Sequence, residues 1–173
     1  MSDKLIYLMR HAEAEPFSRG SRDEERALTE HGEQQAITMA AWLSDSMASI
    51  AGDVSAAPIE VLHSPFLRTT QTAQFVVKGL AVPLSASAVS VDALLGDNSP
   101  EAVMNALDDS LADINIWVTH QPLVSSLCAW LVSGSSRVAY DFPFYPASVA
   151  RLKAAYFAQG EATLQMLQHA EPR

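Results

Sequence analysis

The chain has 173 residues, 49% of them hydrophobic and 18% charged. That length suits one domain, and the apolar content suffices for a buried core and argues against disorder. Lys plus Arg number 11 and Asp plus Glu number 20, a net charge of −9 at pH 7, which excludes generic nucleic-acid binding because counterion release needs a surplus of cations. The single cysteine, Cys128, cannot close an internal disulfide and fits a reducing, cytoplasmic compartment. The N-terminal MSDKLIYLMRH lacks the cleavage site of a leader and the length of a membrane span.

Lys4 to Met9 (KLIYLM) is a short apolar run closed by charge at Arg10, the pattern of a buried parallel strand. Thr29 is a good N-cap, and Ala36, Ile37, Ala40, Leu43 and Met47 carry helical spacing from Glu30 to about Ile50. Gly52 to Pro58 is small and turn-rich, and Ile59 to Leu62 reads as a second strand running into His63 and Ser64. Pro65 then suits the first turn of a helix that passes through Arg68, Thr72, Phe75 and Val76 to about Lys78, with Gly79 as its stop. Ala88 to Leu94 reads as a third strand, and Pro100 to Leu107, after Ser99, as a third helix. Ile114 to Thr119 (INIWVT) is a strand ending at His120, and Gln121-Pro122 opens an apolar helix that runs to a stop at Gly134. Ala147 to Lys153 and Ala162 to Leu167 flank a polar turn at Gln159 and Gly160 and read as a closing hairpin. Strands alternating with helices predict an α/β fold with a mainly parallel sheet, one three-layer α/β/α domain over residues 1–173.

In open α/β sheets ligands bind beyond the carboxyl ends of the strands. Arg10-His11 follow the first strand, His63-Ser64-Pro65 with Arg68 follow the second, and His120 with Gln121 follows the fourth. Two arginines and two histidines on one sheet edge, beside helix N-termini, describe a phosphate site, and the planar fork of arginine suits two phosphoryl oxygens at once. Other residues read as structure: His63 as a rim or structural histidine, His31 and His169 as solvated, Cys128 as an inert buried thiol, Trp42, Trp117 and Trp130 as core. The run from Arg22 to Arg26 reads as a solvated loop apart from Arg26 itself. No His or Cys pair has zinc-like spacing, so neither metal nor cofactor is expected. Tyr140 to Pro146 (YDFPFYP) is either a packed loop or a rim for a partner.

The same residues resemble the histidine phosphatase superfamily, which includes the phosphoglycerate mutases. Arg10-His11-Ala12 is similar to its RHG signature, with Ala12 where glycine is usual. Leu28-Thr29 with Gly32 and Gln35-Ala36 is similar to LTxxGxxQA, and Ser64-Pro65 with Arg68 and Gln71-Thr72-Ala73 to SPxxRxxQTA, while His120 falls where the second histidine is expected. The short length, Arg26-Ala27-Leu28-Thr29, SPFLR and HQPLV look most like the SixA-type phosphohistidine phosphatases. The resemblance implies a phosphoglycerate mutase-like fold and a metal-independent phosphatase in which His11 is the nucleophile, Arg10 and Arg68 hold the phosphoryl oxygens, and His120 completes the cradle. It also implies substrate contacts from Arg26 and from the Gln121 backbone amide, and as partner a phosphorylated protein such as a histidine-containing phosphotransfer domain, with neither nucleic acid nor membrane. No carboxylate is clearly placed as general acid; Glu13, Asp92, Asp97 and Glu101 are candidates. An imidazole leaves a phosphoramidate with less help than an alkoxide needs, which favours phosphohistidine; a phosphatase of small phosphomonoesters and a non-catalytic phosphoprotein-binding module are the alternatives.

Overall fold

Alternate residues of the first strand, β1 (Lys4–Arg10), serve two different cores, as the two-residue period of a strand requires. Leu5, Tyr7 and Met9 point to one side, where they meet Ala36, Met39, Leu43 and Met47 of α1 (Glu30–Ile50) and Ala73 and Val76 of α2 (Leu67–Gly79). Ile6 and Leu8 point to the other, against Val103, Met104 and Leu107 of α3 (Pro100–Leu107) and the apolar face of α4 (Leu123–Ser133). Two helix layers therefore sandwich one sheet in this computed structural model, which describes residues 3–50, 59–80, 88–107 and 112–171.

The sheet has six strands in the order β3-β2-β4-β1-β5-β6, with β2 at Ile59–His63, β3 at Ala88–Ser90, β4 at Ile114–Thr119, β5 at Val149–Ala154 and β6 at Thr163–Gln168. The first four run parallel, and β5 pairs antiparallel with both β1 and β6. This is the α/β architecture that the strand and helix pattern predicts. The register matters for the site: β4 lies between β2 and β1, with Val118 opposite His63 and Thr119 opposite Arg10. The residues that follow these three strands therefore emerge side by side.

Several boundaries differ from the sequence reading, each for a physical reason. The third strand stops at Ser90, and Asp92–Leu94 forms a 3-10 turn. Leu94 is apolar because its side chain is fully buried, and its carbonyl accepts a 2.6 Å bond from Thr119 Oγ1. Pro65 lies ahead of the second helix, whose N-cap is Phe66, with the amides of Thr69 and Thr70 both donating to the Phe66 carbonyl. β5 starts at Val149, two residues later than the alternation suggests, because Ala147 holds a left-handed backbone (φ 59°). The turn expected at Gly52 to Pro58 lies outside the described residues. Among those described, no helix is long and apolar enough to cross a membrane.

Candidate active site

His11 is the first residue beyond β1, and its backbone is pinned on both sides: its amide donates to Thr119 O and its carbonyl accepts from the Ala147 amide. Its ring Nδ1 lies 2.7 Å from the Ala12 carbonyl. A carbonyl only accepts, so the proton sits on Nδ1 and Nε2 carries the lone pair. Arg68 Nε donates to that Nε2 at 3.3 Å. The His120 ring stands edge-on to His11 with centroids 5.2 Å apart, and Phe66 closes the far side of His120 at 5.0 Å. Arg10, Arg68 and His120 thus gather around His11 as the strand ends predict.

Burial and charge decide how these groups titrate. Burial pushes His11 down to about 3; the hydrogen bond to the Ala12 carbonyl is the next largest influence and opposes it, and His120 and the Arg68 and Arg10 guanidinium groups lower it further. His120 is pushed down to about 4 by burial first and then by Arg68 and Arg10, with Asp23 and Asp97 opposing. Both imidazoles are therefore neutral near pH 7. Arg10 donates from Nη1 to the Phe144 carbonyl at 2.8 Å. Arg10 Nε and His120 Nδ1 are both buried without a hydrogen-bond partner among the described residues. Buried polar atoms are rarely left so, and acceptor oxygens of an anion would satisfy the Arg10 N–H.

Asp23 belongs to this cluster, although the charge run around it reads as a solvated loop. Arg68 Nη2 donates to its Oδ2 at 2.9 Å and Arg68 Nη1 to its backbone carbonyl at 2.7 Å. Arg26 Nη1 donates to Oδ1 at 2.8 Å. The Arg26 bond, then the Arg68 bond and charge, hold the Asp23 carboxyl below its usual range, so it stays ionised. Arg26 thus reaches the cluster through Asp23 and not by touching His11. Both outer nitrogens of Arg68 are engaged, and its Nε faces His11; a bidentate clamp of this kind fixes orientation as well as charge.

The remaining expected residues have other partners. The Gln121 side chain donates to Ser125 Oγ and to the Phe144 carbonyl, which also accepts from Arg10 Nη1. Glu13 accepts from Thr29 Oγ1 and faces His31, so it is not turned to the cluster. Asp92, Asp97 and Glu101 are all exposed, and of the four acid candidates it is Asp97 whose charge reaches His120. His63 is buried, its Nδ1 donating to the Ser64 carbonyl at 2.8 Å. His31 is exposed but not free, lying between Glu13 and Glu171. His169, also expected to be solvated, bonds Ser148 Oγ at 2.7 Å. Trp117 and Trp130 are buried as expected, and burial pushes the Cys128 thiol up to about 12, which keeps it inert. Among the described residues no group of three His, Cys, Asp or Glu side chains could hold a metal ion.

Comparison with known proteins follows the same residues. The sequence profile of the histidine phosphatase superfamily (branch 1) matches residues 6–89, the stretch that carries His11, Asp23 and Arg68. The phosphohistidine phosphatase SixA of Escherichia coli (strain K12) is 31% identical over 132 residues, covering 76% of each chain. The chain belongs to the histidine phosphatase superfamily. Within that superfamily it is SixA-like, and it is a hydrolase of the phosphatase type. A structure of the protein histidine phosphatase SixA complexed with tungstate superposes with a TM-score of 0.71 at 24% identity, covering 96% of this chain and 97% of that one. A putative α-ribazole-5'-P phosphatase from Escherichia coli shares the fold at a TM-score of 0.63 and 16% identity, covering 96% and 97%.

Proposed function

We propose that this superfamily member hydrolyses phosphohistidine carried by a partner protein, such as a histidine-containing phosphotransfer domain, in the cytoplasm. One catalytic unit spanning residues 1–173 does so without a metal, through a phosphorylated His11. The observation that carries this reading is the His11 ring: its Nδ1 proton is spent on the Ala12 carbonyl, and its neutral Nε2 faces a guanidinium. That is what an attacking imidazole needs. Nε2 attacks phosphorus in line, the N–P bond to the substrate imidazole breaks, and that imidazole, already protonated on its other ring nitrogen in the substrate, leaves as the neutral ring. Water then attacks the phosphorus on His11, the second N–P bond breaks, and inorganic phosphate departs. Arg10 and Arg68 spread the developing charge of the phosphoryl oxygens, and His120 Nδ1 donates to one of them.

The choice of phosphohistidine rests on the acid. Asp23, the carboxylate bonded into the cluster, is held ionised by two arginines and so has no proton to give. An alkoxide leaving group would need one; an imidazole leaves readily. The SixA relative, named a phosphohistidine phosphatase, points the same way.

The test is to incubate the protein in EDTA with a phosphohistidine-bearing transfer domain and to follow acid-labile phosphate on both proteins. Loss from the substrate with transient label on His11 is expected. His11→Ala should lower turnover by roughly a thousand-fold or more while keeping the fold. Activity on sugar phosphates alone would replace the substrate by a small phosphomonoester, and binding without turnover would leave a phosphoprotein-binding module.

A further inference from the structure

Parallel strands β2 and β4 end side by side, so the residues just beyond them, Ser64 and His120, meet. Ser64 is fully buried and His120 is 4% exposed. Their side chains touch at 2.7 Å, Ser64 Oγ to His120 Nε2. The serine is itself fixed: its amide donates to Val118 O, and its carbonyl accepts from His63 Nδ1 at 2.8 Å and Thr69 Oγ1 at 2.6 Å.

A neutral imidazole carries one N–H, so this contact can be made in two ways. If His120 Nε2 carries the proton and donates, the Ser64 hydroxyl hydrogen is buried with no acceptor among the described residues, and Nδ1 is a buried lone pair with no donor. If the Ser64 hydroxyl donates to Nε2, both atoms of the contact are satisfied and only the Nδ1 proton lacks a partner. Each unsatisfied buried group carries its full desolvation penalty, so the second arrangement wins by one such group. It also leaves an N–H donor, where the first leaves an acceptor that would repel phosphoryl oxygens.

From this we propose that Ser64 is a positioning residue that sets the tautomer of His120, fixing its proton on Nδ1 so that the ring serves the phosphoryl group as a donor. The inference rests on the reading of His120 as a phosphoryl donor. His11 and His120 then carry the proton on the same nitrogen to opposite ends. His11 spends its Nδ1 proton on Ala12 and offers a lone pair, while His120 fills its Nε2 with Ser64 and offers a proton.

The first test needs no variant. Long-range 1H–15N spectra of the wild-type protein near pH 7 should show His120 protonated at Nδ1; protonation at Nε2 would overturn the proposal whatever the activity. In Ser64→Ala the His120 signals should move toward the Nε2–H form. With a phosphohistidine protein as substrate, kcat should fall roughly ten- to a hundred-fold with KM changed by less than about two-fold, and Ser64→Thr, which keeps the hydroxyl, should recover most of the loss. An unchanged tautomer in a folded Ser64→Ala, or a Ser64→Thr no better than Ser64→Ala at equal melting temperature, would also overturn it. Absence of turnover in the wild-type protein would refute the proposed function and leave the tautomer result standing on the spectra.

Discussion

His11 and His31 are held by neighbouring parts of one loop, yet their surroundings push them in opposite directions. His11 is pushed down to about 3, first by burial and then by a second imidazole and two guanidinium groups. His31, exposed at the start of α1, faces Glu13 and Glu171, whose hydrogen bonds raise it above its ordinary value. Glu13 links the two regions, two residues from His11 in the chain and 3.3 Å from His31 Nδ1. Gly32 keeps them close: a Cβ there would stand 2.0 Å from the Glu13 carbonyl oxygen, so only glycine lets α1 approach the loop. The difference shows what the site does with burial. An imidazole buried among cations stays neutral near pH 7, whereas one at the surface between carboxylates holds its proton more tightly.

Removing the cation tests the enclosed region most severely. Arg68 is 6% exposed and touches both His11 and Asp23. Arg68→Ala should lower kcat/KM by about a hundred- to a thousand-fold and, because a guanidinium beside His11 is lost, should raise the His11 pKa, read from its ring signals by NMR. A His11 that titrates as before would mean that burial alone sets it. Asp23→Asn is milder. It keeps the shape but weakens the hold on Arg68, and a loss of roughly ten-fold in kcat/KM is expected with little change in melting temperature; an unchanged rate would return Asp23 to the surface.

How far the sequence foretold this site depends on which physical signal each residue leaves. Arg10, His11, Arg68 and His120 sit immediately past apolar strands or in a first helical turn, so strand ends and motif spacing locate them together. Asp23 leaves no such signal. It lies amid Arg22, Glu24, Glu25 and Arg26, of which Arg22 pairs with Glu24 and Glu25 at the surface, and a charge run is legible only as a run. The contact that turns Asp23 inward comes from Arg68, 45 residues away. The partner of His120 is hidden in the same way, because Ser64 reads as part of a strand-to-helix turn and only the β2–β4 register brings the two side chains together. In the sheet, the strongly apolar β4 emerges at its predicted bounds, while β3 is short because part of its apolar signal, Leu94, serves core burial in a turn.

The two regions also make opposite predictions for acid. His11 and His120 have folded values below the unfolded 6.5, so the unfolded chain binds their protons more readily. Their contribution to stability is intact above about pH 6.5 and is lost as pH falls toward 4 and then 3. Both rings should therefore stay neutral by NMR down to about pH 5, and the enzyme's acid limb should lie well below pH 6.5. A kcat/KM that halves near pH 6.5 through titration of His11 would contradict the enclosure of the site.

His31 runs the other way and carries the smallest effect. Its folded value lies above the unfolded 6.5, so the stabilisation from Glu13 and Glu171 is fully present below pH 6.5 and fades as pH rises through the raised value. Because the pair is exposed, solvent screens it and the gain is small. His31→Gln should leave kcat/KM within about two-fold, since no His31 atom touches His11, and should lower the melting temperature slightly at about pH 6 and not at about pH 9. Adding salt should shrink that difference in the wild-type protein, as screening requires. If His31→Gln instead slows catalysis at a constant melting temperature, Glu13 transmits the state of the surface clasp to His11, and the two histidine regions form one unit.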